Sequence, residues 1–420
     1  MYMVVIRLNN YYKHICVNGM TAYLIKKEGY NKSYCGIGTK FGGSNLKFEE
    51  SGKIYNIKPG TAHFLEHKLF AQEDGTDAFN TFTKLNAMAN AYTANDKTIY
   101  YFTTNDDLKK PLSLLLNMYF NPYFTDSNVS KEKDIIISEY NTSLDVGFLF
   151  NNKLINDLYP NDDYSKMILG DIEDIKSITK EDLYQAYNAF YTPLNSVLYI
   201  VSDINPDLLF NFIDEELKKY KYSNLVVKKL NILESKKPKC DLAYFVDERI
   251  SQKEICINLR LDDVTNKDPI SCELLLGVFE TLLNVSGKIY KKLEHKKLLL
   301  NDIDFNVNTF SESSTITLSF TTNNPLKINK IMTKIIRKID KIKLNQDYIE
   351  IYFRHLKAKS IIEEDQIGPL GEKCLSLALE DIDYFDMTEK LINLDKKDIN
   401  KYINSIKNSM IYSLIAMKKI

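Results

Sequence analysis

The sequence predicts an α+β protein made of two homologous αβ domains, each a mainly antiparallel sheet covered by helices. Three observations carry that expectation. The chain has 420 residues, which at roughly 100 to 200 residues per domain points to two. Along its first half, stretches with strand and helix patterning follow in the order strands, helix, strands, helices, strand. The same order of elements then recurs at a period of about 210 residues, the mark of an internal duplication. Composition is compatible with such a packed protein: 44% of residues are hydrophobic, including 28 Tyr and 21 Phe. With 55 basic against 56 acidic side chains the net charge is only -1. Phosphate neutralisation by a basic surface, and hence nucleic-acid binding, is not expected, and neither is disorder.

The elements follow in order. Met20–Gly29 and Ser33–Gly43 alternate with the period of half-buried strands and are expected to pair as a hairpin. A Pro59-Gly60 turn precedes a helix over 61–72, with Thr61 placed to cap it. Asn90–Asn105 reads as two strands around a polar turn, and Leu108–Phe120 as a helix stopped at Asn121-Pro122. A long helix is expected from Val129 to Leu144. Thr179 and Asp182 form a capping box that opens an amphipathic helix to Phe190, and Val197–Ile204 reads as a buried strand. The second pass supplies strands at 240–248 and 253–263, a helix at 270–283, strands at 303–308 and 315–322, and helices at 328–342 and 346–363. The expected division is a first domain over 1–215, a lysine-rich linker over 216–240 and a second domain over 241–420.

The residues that carry chemistry lie in His63-Phe64-Leu65-Glu66-His67. Two of only five histidines sit four apart, with a glutamate between them at the third position. On a helix these three side chains share one arc of about 100°. By composition the pattern HxxEH arises by chance in about three such chains per thousand. The competing interpretation is a solvated face on which Glu66 pairs with a lysine. A catalytic zinc site needs three protein ligands and an open position for water. The third candidate is Glu139, on the following helix seven residues after Glu132, so that both carboxylates occupy one stripe. Ile135 and Ile136 lie between them, and that stripe is expected to be buried. Elsewhere, a pair of glutamates so spaced is usually just solvated. With Zn2+ on His63, His67 and Glu139, Glu66 is the expected general base and Glu132 an auxiliary carboxylate that orients a ligand.

The HxxEH string is the inverse of the thermolysin-type motif, and its surroundings resemble the insulinase/pitrilysin family of zinc peptidases, most closely its short, processing-peptidase-like branch. GTAHFLEHKLF is similar to the family's motif helix, and EKDIIISEY to the segment with the third ligand and the auxiliary glutamate. Asn90-Ala91-Tyr92-Thr93 resembles the strand whose edge receives substrate, which makes Asn90, Ala91 and Tyr92 the substrate-binding candidates. The resemblance covers about residues 15 to 205 and implies that the two domains form one half of a clam-shell chamber. It implies a zinc endopeptidase for short or unfolded peptides, leader or maturing peptides among them, completed by a second chain. In the family the partner half brings an Arg and a Tyr to the substrate carbonyl. Here Ser286–His295 contains no arginine, since Arg7, Arg249, Arg260, Arg337 and Arg354 all lie elsewhere. Lys288 offers a point charge without the bidentate fork. The expected assembly is therefore a heterodimer with a homologous metal-free chain, ahead of a homodimer. The alternative function is a non-catalytic peptide-binding or scaffold subunit of such a heterodimer.

The remaining features are read as structural. Six cysteines without a CxxC pair read as buried thiols, and His14 with Cys16 forms no recognised ligand set. Lys40–Ser44 lacks the spacing of a phosphate loop and reads as a turn. No leader and no run of about 18 apolar residues is evident, so a membrane span is not expected and a cytoplasmic location is.

Overall fold

The structure, a computed structural model, describes residues 6–8, 10–73, 75–223, 225–230, 237–310 and 312–419. It divides into two compact units. The first comprises Met1–Ser143, Lys166–Ile232 and Ile362–Tyr384, and the second Leu144–Ser165, Leu233–Ile361 and Phe385–Ile420. Each expected domain thus gives one segment to the other unit: 144–165 joins the second and 362–384 the first. Of the expected linker, 231–236 lies outside the described residues, and Lys228–Lys229 pairs as a short strand with Lys47–Glu50.

The first unit is built on seven strands: β1 (Ile6–Leu8), β2 (Tyr11–Ile15), β3 (Thr21–Lys26), β4 (Ser33–Thr39), β5 (Ala87–Thr93), β6 (Thr98–Thr104) and β7 (Ser196–Ser202). Their order is β1-β2-β3-β7-β4-β6-β5. The expected hairpin of β3 with β4 does not form. Strand β7 lies between them, parallel to β3 and antiparallel to β4. The reason is burial: every residue of β4 and of β7 is buried, and two such strands are most completely covered at the centre of a sheet.

Helices of the first half cover one face of this sheet, among them α1 (Thr61–Leu69), α2 (Asp126–Ser143) and α3 (Pro206–Leu217). A helix from much later in the chain, α4 (Ile367–Leu379), covers the other face at β4 and β7. The approach is close. A Cβ at Gly371 would lie 2.1 Å from the Tyr34 ring, and one at Gly36 would lie 2.8 Å from Leu375 Cδ2. The glycines of β4 therefore admit a helix rather than mark a turn. This second cover is why β4 is buried on both faces and not half-buried as its alternation implies.

The second unit holds a five-stranded sheet: β8 (Leu242–Val246), β9 (Glu254–Leu261), β10 (Asp304–Thr309), β11 (Ser314–Thr321) and β12 (Met410–Met417), in the order β8-β12-β9-β11-β10. Helices Ser271–Leu282 and Gln346–Glu364 fall where the sequence places them, whereas the helix expected over 328–342 begins three residues earlier and ends six residues earlier, at Pro325–Ile336. The helix Val146–Leu158 belongs here because Phe150, Leu154 and Leu158 bury themselves in one cluster with Tyr412, Leu414 and Ala416. Mixed sheets flanked by helices, once in each unit, are the α+β fold expected.

Candidate active site

The site begins with α1. Its Phe64, Leu65 and Leu69 are sunk in the core of the first unit, which fixes the rotation of the helix and turns His63, Glu66 and His67 to the opposite side. Thr61 does not cap it. The capping position is Gly60 at φ 86°, without a side-chain hydrogen bond, because a Cβ there would stand 2.5 Å from the Leu169 carbonyl oxygen. The helix ends at Leu69, three residues earlier than expected.

From the same unit, α2 presents Glu132 and Glu139. Glu139 lies between the two histidines, 3.7 Å from His63 Nε2 and 3.5 Å from His67 Nε2. One donor atom from each of His63, His67 and Glu139 falls within 4.8 Å of the other two. Two imidazoles and a carboxylate at that spacing fit the ligand set of a catalytic zinc ion. Glu132 Oε1 is 3.1 Å from His67 Nδ1, and its other oxygen is 3.5 Å from Lys68 Nζ. With Nδ1 donating to Glu132, His67 presents a bare Nε2 on the Glu139 side. Ile136 is buried as expected, but Ile135 is 55% exposed, since a helical arc wide enough for both glutamates leaves it at the rim.

The charges follow from burial. Burial and the neighbouring His67 hold the His63 imidazole down to about 3, against an upward pull from Glu132. Burial opposes charge on His67 too, but Glu132, Glu66 and Glu139 outweigh it and raise its pKa. The Glu66 carboxyl is pushed up by burial and by Glu139, although the Thr93 hydroxyl and His67 act the other way. Thr93 Oγ1 donates to Glu66 Oε2 at 2.6 Å. Neither Thr93 nor Lys68 is among the residues singled out for the site. The period-two alternation of β5 was the available signal for Thr93, which shares a face with Ala91.

Strand β5 is one of the two edges of the seven-stranded sheet. Asn90 and Ala91 line a cavity of about 590 Å3 together with Glu66, His67, Phe79 and Ile135. The Ala91 N–H is held at 2.9 Å by the side-chain oxygen of Asn90. Tyr92 turns to the other face, where burial and then Glu372 push its hydroxyl above the ordinary range.

A motif helix bearing two histidines and a glutamate, a second helix bearing the third donor, and an open strand alongside define a centre of the metallopeptidase kind. Comparison with known proteins agrees. A family model described as "Insulinase (Peptidase family M16)" matches residues 51–171, and one described as "Peptidase M16 inactive domain" matches 177–355. The chain belongs to the insulinase family of peptidases. It is 36% identical to the uncharacterized zinc protease YmfH of Bacillus subtilis over 212 residues, 49% of each chain. Against the first relatives found, the chain thus spans about half of their length or less. A zinc protease of Rickettsia felis is 22% identical over 95% of both chains. In fold, the crystal structure of an M16-like peptidase from Alicyclobacillus acidocaldarius superposes over the full length of both chains with a TM-score of 0.89, at 19% identity. Among the described residues no helix is long and apolar enough to cross a membrane.

Proposed function

We propose that the chain is a zinc-dependent endopeptidase acting on short or unfolded peptides, leader or maturing peptides included, in the cytoplasm. The observation that carries this reading is the convergence of His63, His67 and Glu139 beside Glu66. In this reading His63, His67 and Glu139 hold Zn2+. When bound, the ion polarises a water molecule and lowers its pKa toward about 7. Glu66 takes the proton of that water and later delivers it to the leaving amine; a carboxyl whose pKa is raised by burial is suited to both steps. Thr93 orients Glu66, and Glu132 orients His67. The segment 90–92 is the edge of β5 that would receive an extended peptide: Ala91 would exchange the bond from its N–H to the Asn90 side chain for one to substrate, while Asn90 and Tyr92 flank it along the strand.

The absence of arginine from Ser286–His295 supports assembly with a homologous metal-free chain that supplies an Arg and a Tyr, a homodimer being second choice. The test is a peptide-cleavage assay on the purified chain, with and without such a partner, after stoichiometric zinc loading. Cleavage that stops on chelation and returns with zinc is the expected result. Cleavage that survives complete metal removal would overturn the assignment. Zinc binding without cleavage under any pairing would favour the other reading, a peptide-capturing subunit.

A further inference from the structure

We propose that His14, Cys16 and Asp214 form a second metal site, distinct from the one on α1, for a divalent ion of zinc's softness. His14 lies in β2 and Cys16, two positions on, follows directly after its last residue, so both side chains leave the chain on the same face. Both are buried, at 2% and 1% exposure. Asp214 comes to them from α3, one turn beyond Phe210, whose ring stacks on His14 with centroids 4.8 Å apart. His14 Nε2 is 3.0 Å from Asp214 Oδ2, and the Val17 N–H donates to Asp214 Oδ1 at 2.9 Å. One donor atom from each of the three residues lies within 4.8 Å of the other two. A tetrahedral zinc ion with bonds of about 2.0 to 2.3 Å requires donors about 3.5 Å apart, so small side-chain adjustments suffice.

Two further features point to a ligand. His14 Nδ1 is buried without a hydrogen-bond partner, which leaves part of the imidazole's bonding capacity unused. Charge is the second. A dication with one thiolate, one carboxylate and one neutral imidazole sums to zero, the arrangement least penalised by burial. Without an ion, burial and Asp214 both push the Cys16 thiol up and keep it protonated. Binding would displace that proton to solvent as the metal–sulfur bond forms. The site would pin β2 to α3 across 200 residues of sequence.

Titration of the full chain with Co2+ tests this, because thiolate ligation produces a near-ultraviolet charge-transfer band that two histidines and a glutamate cannot. The wild type is expected to bind two equivalents and show the band. Cys16→Ser should lose the band and one equivalent; His63→Ala should lose the other equivalent and keep the band. This outcome is read independently of any peptidase activity. A folded wild-type chain without the band, or a band unchanged in Cys16→Ser, would overturn the proposal. Should Cys16→Ser not fold, Asp214→Asn is expected to weaken the Co2+ affinity read from the band at least tenfold, roughly as loss of one ligand does, and unchanged affinity would count against the site.

Discussion

Thr93 decides where Glu66 can point. A buried carboxylate left to itself would turn toward the nearest cation, but the 2.6 Å bond from Thr93 Oγ1 ties one oxygen to β5 and leaves the other for a proton in transit. Glu66→Gln keeps the shape and removes the base: zinc content should stay near one equivalent at the α1 site while the cleavage rate falls roughly 10²- to 10⁴-fold. Thr93→Val should lower the rate about tenfold without changing metal content, because it loosens the base and touches no ligand. Glu132→Gln acts through His67 Nδ1 and should weaken zinc affinity roughly 10- to 100-fold in a chelator competition. The histidine motif was legible in the sequence because its three residues are local, brought together by one helix. Glu139 was legible from its place on the stripe of Glu132. Thr93 was hidden because its role depends on which face of β5 meets α1, and a strand alone does not reveal that.

At the level of elements, the third α-helix after α2 carries a pH-dependent lock. Asp182, in the capping box that opens Lys180–Phe190, accepts from the Thr179 N–H at 2.8 Å and from Lys58 Nζ at 2.7 Å. Burial works against its ionisation, but these bonds outweigh it and hold its pKa below the ordinary value. Because the folded pKa is the lower one, its stabilisation is complete above about pH 4 and is lost as pH falls through the folded value. Asp182→Asn should therefore reduce stability near neutrality and flatten the acid limb, as urea unfolding across that range would record. The capping box itself was legible, being spelled out by four consecutive residues. The position of β7 was not: it joins β3 to β4 from more than 150 residues away, and no local pattern encodes that. The exposed thiol of Cys240 and the half-buried one of Cys272 depart from the expectation that all six are buried.

On the scale of the whole chain, the first unit depends on α4. Gly371→Ala would drive a methyl group into the Tyr34 ring, and a loss of about 1 to 3 kcal/mol is expected by denaturant titration. A fragment ending at residue 361 should be insoluble or bind dye as a loosened state, since the apolar back of β4 and β7 would be bare. That the chain holds two αβ units was readable from the repeated order of elements, but the exchange of segments between units was not, because the repeat places α4 by sequence with the second half. The ribosome reads the chain from the other end, at about 5 to 20 residues per second. His63 emerges hundreds of residues before the helix that closes the sheet behind it. A nascent chain therefore carries the residues of the proposed centre long before it has a finished scaffold for them, and on that reading cleavage competence should appear only once translation has passed residue 384. If the proposed activity holds, a half-made copy would in this way be kept from cutting the peptides around it.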